Sequence, residues 1–141
     1  MTTSEVVSAI GRAARHAARP GGEHSEFSRG QLMSAFSASR HLSVELSRFP
    51  VELEAFAASV AGELAQARRV SRPDDLAAIA AELTNACDAP RIGNLVAAAL
   101  ELVRDDPAPA AVSLRASLLR SLRGLSDREV ELLAEAIERP R

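Results

Sequence analysis

Apolar residues recur every three or four positions along most of the chain, which is the spacing of one face of an α-helix. The clearest stripe consists of Leu53, Phe56, Val60 and Leu64. Equivalent stripes predict helices over 5–18, 29–49, 50–69, 71–86, 92–103 and 110–123, and from 126 towards Pro140. No segment alternates β-branched or aromatic residues with polar ones, as a half-buried strand would. We therefore predict an all-α fold, a single helical bundle of six to seven mostly antiparallel amphipathic helices without a sheet.

Capping residues predict where several of these helices begin. Ser4 is the predicted N-cap of the first helix, and Ser28 with Gln31 forms a capping box for the second. Ser71, followed by Pro73 in a first turn, starts the fourth. These signals place the helix starts at polar residues whose side chains can accept backbone hydrogen bonds.

Two further positions predict breaks. Pro50 interrupts the apolar stripe of the second helix, so we expect a new helix or a sharp kink there. Gly124 stands where a C-terminal cap belongs. Behind it, Ser126 and Glu129 form a capping box, with Leu125 and Val130 in the positions of a hydrophobic staple.

Length and composition are ordinary for a globular protein. The chain has 141 residues, of which 47% are hydrophobic, which fits one domain over 1–141 with its own core. All 17 basic residues are arginine, and together with abundant alanine this favours a bacterial, high-GC genome. Cys87 is the only cysteine, and its place at the end of an apolar stripe predicts a small buried side chain.

Charge and hydropathy limit the partners. A formal net charge of −2 argues against nucleic-acid binding, which usually needs a basic excess. No apolar run approaches the length of a membrane span, so we expect no membrane partner. Residues 1–9 do not have the pattern of a signal peptide, and we therefore expect a cytoplasmic protein.

The aromatic residues are concentrated in one stretch, 27–56, together with one histidine and several serines. Apolar rings with a few polar groups are typical of small-molecule pockets, although aromatics at helical spacing usually pack in a core. The sequence therefore offers a candidate ligand pocket between the helices 29–49 and 50–69. Its candidate residues are Phe36, Ser37, His41, Glu45 and Phe56.

His41 and Glu45 are one helical turn apart and could supply two ligands to a metal ion. A third ligand would have to be His16 or His24, brought close by folding. The alternative is an ordinary surface pair, which we favour. A metal-binding bundle is therefore the last of our hypotheses.

Arg12, Arg15 and Arg19 form a basic strip on the first helix, opposite its apolar face. Such a strip could bind phosphate or an acidic partner, but a solvated polar face is the commoner meaning. We favour the solvated face.

No glycine-rich phosphate loop, paired CxxC motif, HExxH or GxSxG sequence is present. We accordingly expect no cofactor and favour a non-enzymatic helical interaction module. It would bind a protein partner or a second copy of itself, with a homodimer as the default. Apolar residues outside the main stripes, Met33, Val44 and Val51, could form the second packing surface. A small-molecule-binding protein or enzyme with a small apolar ligand is the alternative.

Overall fold

The computed structural model describes residues 2–20 and 25–138, with side chains up to residue 136. Over these residues the chain forms five α-helices and no strand, which confirms the all-α class. The helices are α1 (Thr3–Ala17), α2 (Glu26–Gln66), α3 (Pro73–Thr84), α4 (Ala89–Val103) and α5 (Pro109–Glu138). Two of the predicted breaks fall inside α2 and α5, and this is why fewer helices form than the six or seven expected.

The predicted helix start at Pro50 is wrong, because α2 continues through this residue. Proline has no N–H, so the Leu46 carbonyl loses its usual hydrogen-bond donor, yet the helix continues on both sides of Pro50. After the proline, burial of Leu53, Phe56 and Val60 stabilises the continued helix.

The predicted break at Gly124 is also wrong, since α5 runs from Pro109 to Glu138. Gly124 does not have the positive φ of a C-terminal cap, and nothing lies within 4 Å of the position its Cβ would occupy. Glycine weakens a helix interior by about 1 kcal/mol relative to alanine without breaking it. The predicted staple does not form either, because Val130 is 63% exposed.

Helix starts differ from the predictions by a few residues. Thr2, and not Ser4, caps α1 in a full capping box with Glu5. At the start of α2 the capping side chain is that of Ser25 and not that of Ser28. The Ser25 hydroxyl accepts a hydrogen bond from the Ser28 N–H at 3.1 Å. The N-cap of α3 is Arg72, without a side-chain cap bond, so Ser71 does not have that role.

The chain forms two compact units. The terminal unit comprises Met1–Pro50 and Arg128–Arg141, and the central unit comprises Val51–Asp127. Thus α2 and α5 each contribute residues to both.

The central unit contains a continuous hydrophobic core shared by four helical segments. Its fully buried residues include Val60 and Leu64 of α2, Leu76 of α3, Ala99 of α4 and Leu118 of α5. Regular burial every three or four residues is what the sequence pattern predicts for these segments. Cys87 is outside this core and exposed, contrary to prediction, because α3 ends at Thr84 before reaching it.

Asp106 joins two loops of the central unit. Its carboxylate accepts hydrogen bonds from the Ser71 N–H at 2.7 Å and from the Ala108 N–H at 2.9 Å. These bonds favour the charged form, so the N–H of Ser71 and then that of Ala108 hold the pKa of Asp106 below its usual value of 3.8.

The terminal unit has few buried side chains. Among its described residues, Ala18, Ser39, Leu132 and Ala136 are buried, together with Gly11. Leu42 and Leu46 of α2 are 48% and 45% exposed, although both are large apolar side chains. None of the helices, as far as the structure describes them, has an apolar stretch long enough to cross a membrane.

Candidate functional site: an arginine-lined cavity

A cavity of about 1000 Å³ lies within the terminal unit. Its walls come from α1 and the turn after it, from the first half of α2, and from the last turns of α5. Most of the described lining residues are basic, hydroxyl-bearing or apolar, and one is a carboxylate.

Five arginines line the cavity: Arg12, Arg15, Arg19, Arg40 and Arg48. The first three follow each other at intervals of three and four residues, so they share one face at the end of α1. The last two are eight residues apart on α2, and this spacing also keeps them on one face. Two consecutive helices therefore direct their basic faces at the same cavity.

Among the residues that the structure describes, Glu135 is the one carboxylate in the lining. It pairs with Arg48 at 2.5 Å, and this pair links α2 to α5. Because both side chains are more than a third exposed, water screens the pair and its contribution to stability is small. With five arginines against one glutamate, the described part of the lining has a formal charge of +4 when His16 is neutral.

Phe36 organises two of the arginines. The guanidinium carbon of Arg15 lies 5.1 Å from the ring centroid, and that of Arg40 lies 5.7 Å from it. Cation–π attraction holds such groups near the ring without using their N–H donors. One side chain of α2 thus positions a guanidinium from each of two helices.

Arg12 and Arg19 are placed differently. Both are exposed, and neither has an ion-pair partner among the residues that the structure describes. Their hydrogen-bond donors therefore face water and the open cavity.

A close contact between α1 and α2 forms one side of the cavity. Gly11 packs against Ser39, and a Cβ at residue 11 would overlap Ser39 Oγ and lie 2.9 Å from Ser39 Cβ. The Ser39 hydroxyl is satisfied locally, because it donates to the Phe36 carbonyl at 2.8 Å. One turn away, the hydroxyls of Ser8 and Ser43 are hydrogen-bonded at 2.6 Å.

Apolar side chains complete the lining. Met33 and Val44 contribute from α2, Ala18 and Pro20 from the end of α1, and Ala136 from α5. The cavity can therefore accept a ligand that is charged at one end and apolar at the other.

Of the five candidate site residues from the sequence, only Phe36 lines this cavity. Ser37 and Glu45 are exposed on other faces of α2, and Phe56 is buried in the core of the central unit. His41 is half-buried outside the lining, and its Nε2 atom has no hydrogen-bond partner within the described structure. The segments 29–49 and 50–69 are not two helices facing each other, because both lie mainly along α2.

The metal hypothesis gains no support from the geometry. His16 lines the cavity, whereas His41 and Glu45 do not. His24 lies outside the described residues. Among the residues that are described, no three histidine, cysteine or acidic side chains are grouped closely enough to hold a metal ion.

The sequence interpretation missed the arginines as a site. It noticed the strip on α1 but favoured a solvated face, and it did not connect Arg40 and Arg48 with that strip. The available signal was the presence of basic residues at helical spacing on two successive helices. Contacts between α1 and α2 in the folded chain, such as Gly11 against Ser39 and Arg15 over the Phe36 ring, show that these two faces meet.

Searches against protein-family models, curated proteins and solved structures find no match to this chain. The cavity itself is therefore the evidence for function.

Proposed function

We propose that the protein is a non-enzymatic binding module that takes an anionic ligand in the arginine-lined cavity. One observation carries this proposal. Among the described residues, five arginines and a single carboxylate line one cavity in a chain whose net charge is −2. Positive charge is concentrated at the cavity although the protein as a whole is slightly acidic.

Electrostatics explains why such a cavity favours anions. A concave surface lined by one sign of charge raises the local potential and the local concentration of the opposite ion. Arginine adds a planar fork of donors that matches carboxylate and phosphate oxygens. The side chains of Arg12 and Arg19 are exposed and open to an incoming anion. Those of Arg15 and Arg40 lie beside the Phe36 ring in the same lining.

Thermal unfolding with inorganic phosphate tests this proposal. At constant ionic strength, replacing chloride by phosphate is expected to raise the Tm of the wild-type protein, because a ligand that binds the folded state stabilises it. Arg12→Gln removes one cavity charge and is expected to reduce this shift. Arg123→Gln, an exposed arginine of the central unit outside the lining, is the matched control and should keep the full shift. Equal shifts in the two variants would refute the site.

A second candidate function is self-association, and a specific observation favours it. The terminal unit exposes large apolar side chains on two helices, including Ile10 on α1 and both Leu42 and Leu46 on α2. Exposed apolar side chains that are not isolated often belong to protein interfaces. A second copy of the chain is the proposed partner, as a homodimer.

Light scattering coupled to size exclusion tests this second proposal. We expect the mass to rise towards twice the chain mass with increasing concentration, and Leu46→Glu to abolish that rise. Gln31→Glu introduces the same charge at an exposed position of α2 and serves as the control. A monomer of constant mass at all concentrations would rule the proposal out.

Three broader expectations stay proposals. The chain would form a single domain over 1–141, its helices would be arranged as a mostly antiparallel bundle, and the protein would be cytoplasmic. The shared core of the four segments in the central unit supports the bundle. The exposed single cysteine fits a reducing compartment.

A further inference from the structure

We propose that the ligand of the cavity is a phosphate monoester that carries an apolar or aromatic group. This inference rests on the proposed anion-binding function and specifies its ligand. It follows from the charge of the lining, from the arrangement of its donors and from the apolar part of the wall.

The charge of the lining exceeds what a carboxylate needs. One arginine can satisfy a carboxylate with two parallel hydrogen bonds, yet the described part of the lining has five arginines and a single carboxylate, that of Glu135. A phosphate monoester carries about −1.5 to −2 charges at pH 7. It therefore neutralises more of the +4 lining than a carboxylate can.

The donors come from more than one direction. Arg12 and Arg15 project from α1, while Arg40 projects from α2 and reaches the same Phe36 ring as Arg15. The three terminal oxygens of a phosphate monoester occupy three corners of the tetrahedron around phosphorus, so they can accept hydrogen bonds from both helices at once. A carboxylate has two oxygens in one plane, which suits a single fork.

The size and the apolar wall require more than an inorganic ion. A volume of about 1000 Å³ is at the upper end of the range of about 300–1,000 Å³ for small-molecule pockets. Met33, Phe36 and Val44 supply apolar surface from α2. Burying the apolar part of a ligand against them adds affinity that inorganic phosphate cannot gain.

Isothermal titration with matched pairs of ligands tests this proposal. Phenyl phosphate is compared with benzoate, and octyl phosphate with nonanoate, which has the same eight-carbon alkyl group. The head group therefore changes within each pair while the apolar group stays the same. Comparing each ester with inorganic phosphate, which has no apolar group, tests the contribution of the apolar group to affinity. We expect each phosphate ester to bind at least about ten times more tightly than its carboxylate, because charge-assisted bonds to the extra oxygen are among the stronger hydrogen bonds. We also expect it to bind more tightly than inorganic phosphate.

Variants place this binding in the cavity. Arg12→Gln is expected to weaken the binding of octyl phosphate by about tenfold, and Arg123→Gln is expected to leave this affinity unchanged.

Met33→Ser should weaken the binding of octyl phosphate and leave the affinity for inorganic phosphate unaffected, because it removes only apolar surface.

Vesicles distinguish the two sources of such a ligand. Phosphatidylcholine vesicles that contain phosphatidic acid carry the same phosphate monoester on a lipid. Co-sedimentation that is lost in Arg12→Gln would identify the ligand as a lipid head group. Binding of octyl phosphate without co-sedimentation would identify a free phosphate ester.

The contradicting results are separate for the two proposals. Equal affinities within each ester and carboxylate pair, or for esters and inorganic phosphate, would overturn the ligand class and leave anion binding intact. No effect of any anion, inorganic phosphate included, would overturn the proposed function itself.

Discussion

At the scale of single residues, Gly11 determines how closely α1 can approach α2. Its missing side chain makes room for Ser39, whose Oγ and Cβ occupy the space that a methyl group would need. Both residues are buried, so neither can move aside without disturbing the helix contact that forms one side of the cavity.

Gly11→Ala is therefore expected to destabilise the protein by about 1–3 kcal/mol, the usual cost of overpacking a well-packed contact. Urea denaturation measures the free energy of unfolding. Gly30→Ala is the matched control, because nothing lies within 4 Å of its Cβ position on α2. An alanine there should stabilise by about 0.5–1 kcal/mol through its better helix propensity.

The partner residue offers a second check on Gly11. Ser39→Gly removes both atoms that the alanine would meet, so it should recover part of the loss when combined with Gly11→Ala. Additive effects of the two substitutions, or a Gly11→Ala variant as stable as Gly30→Ala, would contradict the close contact.

Asp106 predicts a specific pH dependence. The N–H groups of Ser71 and Ala108 lower the pKa of its carboxyl in the folded protein below 3.8. A lowered pKa means that the charged side chain stabilises the fold above pH 3.8, and that this contribution is lost as the pH falls through the folded-state pKa. Asp106→Asn should therefore be less stable than wild type at neutral pH, with the difference shrinking below pH 3.8.

Urea denaturation from pH 7 down to acid measures this difference. Asp105→Asn is the control, since the described contact of Asp105 is a 3.4 Å pair with Arg104 in which its side chain is 84% exposed. A difference between wild type and Asp106→Asn that is constant across the pH range would show that the lowered pKa does not act on stability.

At the scale of helices, the sequence pattern located nearly all the helical segments but not their continuity. Stripes of apolar residues follow from helix geometry and are visible in any amphipathic helix. Whether a helix continues through a weak position depends on what lies beyond it. Beyond Pro50, Leu53 and Phe56 enter the core of the central unit, and this tertiary gain exceeds the loss of one hydrogen bond. Local sequence rules do not contain that gain.

Gly124→Ala distinguishes a continuous α5 from the two helices that the sequence predicted. In a continuous helix, alanine at this open position should stabilise by about 0.5–1 kcal/mol. At a C-terminal cap with positive φ, the same substitution would destabilise, because alanine is strained there. Denaturant unfolding gives the sign, and a loss of stability would mean that the helix ends at 124.

At the scale of the whole molecule, the core was easier to predict than the candidate site. The stripe through Val60 and Leu64 is fully buried as its spacing implies. The site was harder because its residues come from three helices separated along the chain, and arginines on one helix look the same whether they face water or a cavity. Phe36 was chosen for its ring, which in the structure contacts Arg15 and Arg40.

The uneven distribution of charge is the property of the molecule on which the proposed function rests. A net charge of −2, averaged over the chain, argued against nucleic-acid binding. The described lining of the cavity nevertheless has five arginines and one carboxylate. Average charge predicts solubility and long-range steering, whereas binding depends on the charge of the surface that meets the ligand.

The most direct test of anion binding in the cavity is an NMR titration with inorganic phosphate that follows the arginine Nε–Hε signals. Single Arg→Gln variants assign the signals of Arg12 and Arg19 in the cavity and of Arg72 and Arg123 in the central unit. We expect saturating shifts for Arg12 and Arg19, and unchanged signals for Arg72 and Arg123. Equal shifts at all four arginines, or none at the cavity pair, would contradict anion binding in the cavity.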